Sequence, residues 1–156
     1  MRCTRLLWVV VACTSFALRA TPAGAQVSLF PRQGLSFGTL SPGVPEWIAP
    51  TDAARRAEVE LVGAGDYTIL VDVPAALVSA AGGAMPLSFG VADGMIRWKK
   101  SNHEQSFQPG QSVEIRIPPG IGGAYVWIGG TAQPTTSQRP GNYAGAITVR
   151  IMAAGT

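Results

Sequence analysis

The stretch Tyr143-Ala144-Gly145-Ala146-Ile147-Thr148-Val149-Arg150-Ile151 sets Tyr143, Gly145, Ile147, Val149 and Ile151 on one side of an extended chain. Ala144, Ala146, Thr148 and Arg150 fall on the other. Successive side chains of a strand point to opposite faces, so this spacing predicts a strand with one apolar face. Val113-Glu114-Ile115-Arg116-Ile117 repeats the pattern, with Glu114 and Arg116 turned to water. Outward from these two runs, 19 glycines and 12 prolines cut the chain into short pieces, as in strands separated by turns. The second run starts at Ser112, and the remaining apolar runs are Leu35 to Leu40, Ala57 to Val62, Tyr67 to Val73, Leu87 to Val91, Met95 to Trp98 and Tyr125 to Ile128. About seven or eight short strands in one domain predict an all-β sandwich or barrel. Gly63-Ala64-Gly65-Asp66 and Pro140-Gly141-Asn142 supply turn residues, which tolerate positive φ or preset a reversal. Thr51 to Ala57 and Pro74 to Ala81 read as loops, because their flanking glycines and prolines leave too little length for a stable helix.

Residues 1 to 25 read as a cleavable signal peptide, leaving 26 to 156 as a single β-domain. Arg2 and Arg5 form a positive start, and Leu6 to Leu18 run apolar except for Thr14 and Ser15, too short for the ~20 residues of a bilayer span. Pro22 breaks a helix, and Ala23-Gly24-Ala25 offers small residues at the positions a signal peptidase reads, so cleavage is expected between Ala25 and Gln26. A rival reading takes Val10-Val11-Ala12-Cys13 as a lipoprotein box lipidated at Cys13, although only seven apolar residues precede that cysteine. Either way the protein is expected to be exported, to the periplasm, the cell surface or the medium, with no transmembrane segment in the mature chain.

Removing this segment changes the composition. The formal charge of +3 is carried by Arg2, Arg5 and Arg19, so nine basic residues balance nine acidic ones in the remainder. Nucleic-acid binding, which needs a concentrated basic surface, is not indicated. Both cysteines, Cys3 and Cys13, leave with the segment, so stability must come from burial rather than a disulfide. Charged residues are 13% of the chain, about half the usual share of roughly 25%, which suits an assembled extracellular protein better than a cytosolic enzyme.

The inventory for catalysis is thin. His103 is the sole histidine, in the polar stretch Lys99-Lys100-Ser101-Asn102-His103-Glu104-Gln105, and no serine lies in a Gly-x-Ser-x-Gly elbow. Zinc sites want several His or Cys ligands and calcium loops want clustered carboxylates, whereas the acids here are scattered. Gly82-Gly83 and Gly120-Ile121-Gly122-Gly123 lack the strand-to-helix setting of a phosphate loop and read as loops. Glu58 and Glu60 share one strand face and read as solvent-facing. No enzymatic activity, cofactor or metal is expected. Trp98, followed by Lys99-Lys100, is a candidate surface-binding aromatic that could stack on sugar rings. The other reading makes it a plug at the end of a core strand.

Phe37-Gly38-Thr39-Leu40-Ser41-Pro42-Gly43, Gly65-Asp66-Tyr67-Thr68-Ile69, Ile128-Gly129-Gly130-Thr131 and Gln138-Arg139-Pro140-Gly141-Asn142-Tyr143-Ala144-Gly145-Ala146-Ile147-Thr148-Val149 resemble an uncharacterised family of secreted bacterial domains. That family is similar to spore coat protein U and, more distantly, to chaperone–usher fimbrial subunits. The resemblance implies an immunoglobulin-like β-sandwich with a structural or adhesive role at the cell surface. It also implies an unpaired edge along the last strand, for which Tyr143, Ile147, Val149 and Ile151 are the candidate pairing residues, since a free edge recruits another chain by β-augmentation. The expected partners are other copies of the chain or a periplasmic chaperone, with Val27-Ser28-Leu29 as a short donor strand. Two departures count against a full pilin reading: the tail lacks a penultimate tyrosine, and Pro31 would cap a donor strand at about five residues. The expected function is a secreted, non-enzymatic structural subunit joined by strand complementation. The alternative is a monomeric adhesin or glycan-binding module.

Overall fold

The computed structural model describes residues 27–154, and over these the chain is all-β, with thirteen short strands and no helix. The predicted cleavage point at Ala25 and Gln26, and Cys13, lie outside the described residues. No helix among the described residues is long and apolar enough to cross a membrane.

The largest sheet holds β1 (Ser28–Gln33), β3 (Ala57–Val62), β7 (Gly94–Trp98), β8 (Glu104–Phe107) and β10 (Ala124–Ile128), in the order β1-β3-β10-β7-β8, antiparallel throughout. Facing it is a three-stranded sheet of β4 (Gly65–Asp72), β9 (Ser112–Ile117) and β13 (Thr148–Ala153), in the order β13-β4-β9. Their inner faces form the main core: Leu61, Ile96, Val126 and Ile128 from the first sheet meet Tyr67, Ile69, Val71 and Ile117 from the second. This is a β-sandwich. Tyr67 Oη donates to the Ala64 carbonyl at 2.8 Å, tying the start of β4 to the turn before it.

A third sheet holds β2 (Glu46–Ile48), β5 (Ala76–Ser79), β6 (Ala84–Ser88), β11 (Gly130–Ala132) and β12 (Tyr143–Ala144), in the order β12-β5-β6-β11-β2. It packs over a smaller core of Phe37, Ile48, Met85 and Ala132. The chain passes from β10 to β11 through Gly129-Gly130, and Gly130 has φ +154. Any side chain at Gly129 would collide with the Ile48 carbonyl. That corner joins the two cores.

Thirteen strands exceed the expected seven or eight. The additional ones are short and mostly polar, as in Glu104-Gln105-Ser106-Phe107, or sit at a sheet edge, where a proline such as Pro31 is tolerated because its missing N–H faces away from the ladder. β5, Ala76–Ser79, falls inside the stretch 74–81 expected as a loop. Leu35 to Leu40, expected as a strand, is irregular: Gly38 sits at φ +69, and Phe37 turns into the smaller core. The run from Tyr143 to Ile151 is not one strand either. Tyr143 pairs with Ser79 in the third sheet, whereas Val149 pairs with Val71 and Ile151 with Ile69 in the second. Gly145, with the Leu77 and Pro74 side chains about where a Cβ would touch them, carries the crossing.

Candidate functional site

On one flank of the sandwich β8 runs into β9 through a tight turn, with Gln111 N–H donating to the Gln108 carbonyl at 3.1 Å and Gly110 N–H to the Val71 carbonyl at 2.8 Å. There the chain itself crosses from one sheet to the other. On the opposite flank β1 and β13 are both terminal strands of their sheets, and among the described residues no strand lies between them. A groove of about 1230 Å³ opens there, walled by Leu29 and Gln33 of β1 on one side and Ile147 and Val149 on the other. Val59 and Ile128 line its depth, and it continues over the smaller core past Phe37 and Met85. The core comes to the surface along this line: Leu29, Val59, Ile147 and Val149 are only partly buried, whereas Ile96 and Ile117 beyond them are fully enclosed. The groove lining includes Arg32 and Arg139 but no carboxylate.

Each edge strand offers one row of backbone N–H and C=O groups that its sheet does not use. The predicted pairing residues are thus divided. Ile147 and Val149 line the groove, Ile151 packs against the main core, and Tyr143 reaches the groove from β12 in another sheet, donating from Oη to the Arg139 carbonyl at 2.8 Å. Val27-Ser28-Leu29 is not a free donor segment: Ser28 pairs with Val62 and Leu29 with Leu61, and the strand continues through Pro31 to Gln33 with a register irregularity.

Charged side chains fasten β1 in place. Glu60, expected to face solvent, is only 7% exposed. It accepts from Arg32 Nε at 2.7 Å and also from Lys99 Nζ. The Gln33 amide donates to the Arg56 carbonyl at 2.9 Å. Lys99 and Arg32 together hold the Glu60 carboxyl below the ordinary glutamate range. A depressed folded-state pKa means that the stabilisation is complete well above the unfolded value of about 4.3 and disappears as pH falls through the lower folded-state value. The melting temperature of wild type should therefore exceed that of Glu60→Gln near neutral pH, with the gap closing in acid; a gap independent of pH would contradict this role.

Trp98 does not serve as a surface aromatic. It is 6% exposed, its Nε1 donates to the Arg116 carbonyl at 2.7 Å, and its ring meets the exposed His103 at a centroid distance of 4.5 Å. Being the last residue of β7, on the face shared with Ile96, it has to point into the sandwich. Trp127 lies on the outer face but is covered by the Arg56 guanidinium, 3.6 Å above its ring. Trp47 is the exposed indole at 57%, held by a 2.8 Å bond from Nε1 to Asp93 Oδ1. No run of alternation marks it, because β2 has three residues. Among the described residues no three His, Cys, Asp or Glu side chains come together in a metal-binding group.

No protein-family model, no curated protein and no solved structure matches this chain.

Proposed function

We propose that this protein is a secreted, non-enzymatic structural subunit of a cell-surface, fimbria-like assembly, and that an extended segment of another chain completes the sandwich by lying in the groove between β1 and β13. The observation that carries this reading is the pairing of two unused strand edges with an apolar opening of about 1230 Å³. A small-molecule pocket is roughly 300–1,000 Å³ and has few unpaired backbone rows. A strand satisfies both needs, adding main-chain hydrogen bonds at an edge while alternate side chains fill the apolar floor.

The immunoglobulin-like and fimbria-like affinities belong to this proposal. They rest on the sequence resemblance, supported by the Tyr67 Oη to Ala64 carbonyl bond, an arrangement of the tyrosine-corner kind. Export rests on the N-terminal segment. The alternative, a monomeric glycan-binding module, loses the residue on which it was based because Trp98 is enclosed.

The purified protein should form multimers that shift with concentration in size-exclusion chromatography with light scattering. Val149→Arg, at a partly exposed position on the groove wall, should leave the circular-dichroism spectrum unchanged and yield only monomer, since a charge at an edge blocks strand addition. A wild type that stays monomeric at every concentration, and that binds no peptide matching residues 26–37, would sink the reading.

A further inference from the structure

A second concavity, away from the groove, lies where the β7–β8 hairpin meets the start of β10. It measures about 340 Å³ and is bordered by Arg97, Lys99, Lys100, Ser101, Asn102 and Tyr125, together with the otherwise buried Trp98. No carboxylate borders it. Arg97 is matched by Glu104 at 3.3 Å, and Lys99 shares the single carboxylate of Glu60 with Arg32. Lys100 has no ion-pair partner among the described residues. Three cations, Arg97, Lys99 and Lys100, thus border this hollow, while the two carboxylates that pair with Arg97 and Lys99 lie outside its lining.

The backbone also singles out Lys100. It sits at φ +53, in the left-handed region, and is the only non-glycine residue with positive φ among the described residues. The flanking chain over-determines this turn: Lys99 N–H donates to the Gly123 carbonyl at 3.0 Å, Trp98 N–H to the His103 carbonyl at 3.3 Å, and His103 N–H to Ser101 Oγ at 3.1 Å. Glycine would occupy the same conformation without steric cost, so the sequence holds a lysine where the fold alone favours glycine. Beside it the half-buried Tyr125 ring has Lys99 Nζ 5.4 Å from its centroid, and Asn102 and Ser101 add an amide and a hydroxyl.

We infer that this hollow binds an acidic saccharide, with one sugar ring laid on Tyr125 and its carboxylate or sulfate group held by Lys100 and the adjoining cations. The aromatic face takes the ring's C–H surface, the amide and hydroxyl take its hydroxyls, and the local excess of positive charge takes the acid. The volume is close to the small end of ligand pockets, enough for a single ring. A nucleotide would need room for base, ribose and phosphate, and among the described residues no glycine-rich turn opens a helix to hold one. This inference rests on different residues from the groove and stands or falls independently of it.

The test is calorimetric titration of the purified protein with a sulfated or uronic-acid disaccharide, its neutral parent, inorganic sulfate and a nucleoside monophosphate. The acidic disaccharide should bind at least about tenfold more tightly than each of the others. Lys100→Gly should raise the melting temperature, by releasing the backbone, yet weaken disaccharide binding by about tenfold. Tyr125→Leu should weaken the disaccharide and leave the weak affinity for sulfate unchanged. The inference is overturned if the disaccharide does not bind, if sulfate or the neutral sugar binds as well (an adventitious ion only, or no charge recognition), if the nucleotide binds more tightly, or if Lys100→Gly keeps full affinity.

Discussion

Gly129→Ala should destabilise the protein by at least about 3 kcal/mol, the upper range for overpacking a well-filled interior. The added methyl would overlap the Ile48 carbonyl oxygen, and it would stand 2.8 Å from Pro50 N and 3.0 Å from the Ala49 carbonyl carbon. All three atoms are backbone, so no side chain can rotate away. The obstruction falls where β10 leaves the main sheet for β11, and where Gly129 N–H donates to the Asp93 carbonyl at 2.7 Å. To relieve it, β2 must separate from β11, which opens the smaller core around Ile48 and removes the neighbouring Ile128 from the groove floor. Against a typical total stability of about 5–15 kcal/mol, such a loss leaves little folded protein at physiological temperature. Chemical denaturation checks it, with Gly34→Ala as the comparison. At Gly34 a Cβ meets nothing within 4 Å, so that variant should match wild type or gain a few tenths of a kcal/mol, about what reduced chain entropy provides. Equal stability of Gly129→Ala and Gly34→Ala would show that the corner does not need its close approach.

Trp98→Ala should cost about 3–5 kcal/mol, the range for removing a large buried aromatic. Its indole fills the end of the sandwich beside Ile96 and Ala124, and its Nε1–H is the donor to the Arg116 carbonyl in β9. Trp98→Phe separates the two contributions. It keeps most of the packing but leaves that carbonyl without its donor, and should cost about 1–3 kcal/mol. Urea unfolding of the pair decides between this structural role and a surface role, in which both variants would be near-neutral for stability. The distinction governs how the acidic-saccharide site is probed. Because Trp98 both fills the core and borders the hollow, a loss of binding in Trp98→Ala would not separate the two roles, whereas Lys100 and Tyr125 border the hollow without belonging to the buried core.

Much of the architecture was legible in the chain. Ala57 to Val62 and Ser112 to Ile117 are strands with the bounds read from them, because each has enough alternation to commit one face to the core. The runs at Tyr67, Met95 and Tyr125 are likewise strands to within two residues at either end. What escaped reading has a shared cause. Ser28–Gln33, Glu46–Ile48 and Glu104–Phe107 are edge strands, and an edge strand needs neither a continuous apolar face nor every N–H, so its sequence carries little periodic signal. Glu60 looked solvent-facing because a carboxylate on the outer side of a strand normally is. Arg32 lies 28 residues away in sequence and Lys99 lies 39 away, and only the strand order β1-β3-β10-β7 brings both over it.

The candidate sites divide in the same way. Lys99-Lys100 beside Trp98 is a basic step next to an aromatic, and the hollow adds to the mostly buried Trp98 a second aromatic, Tyr125, supplied from the neighbouring strand of the sheet. The last run, Tyr143 to Ile151, was read as one pairing edge. Its period-two pattern does place Val149 and Ile151 toward the core, yet Tyr143 belongs to another sheet.

By itself, then, the sequence determined that the chain is all-β, which residues of its clearest strands face inward, and that its chemistry is poor in catalytic groups. Those properties follow from local alternation and from inventory, and neither depends on what lies across the sheet. Strand order, the open flank between β1 and β13, the burial of Trp98 and Glu60, and the gathering of Tyr125 with Lys100 were decided only by the tertiary structure. Period-two alternation specifies which face of a strand is apolar, while the neighbour it pairs with is chosen by packing between segments far apart in the chain.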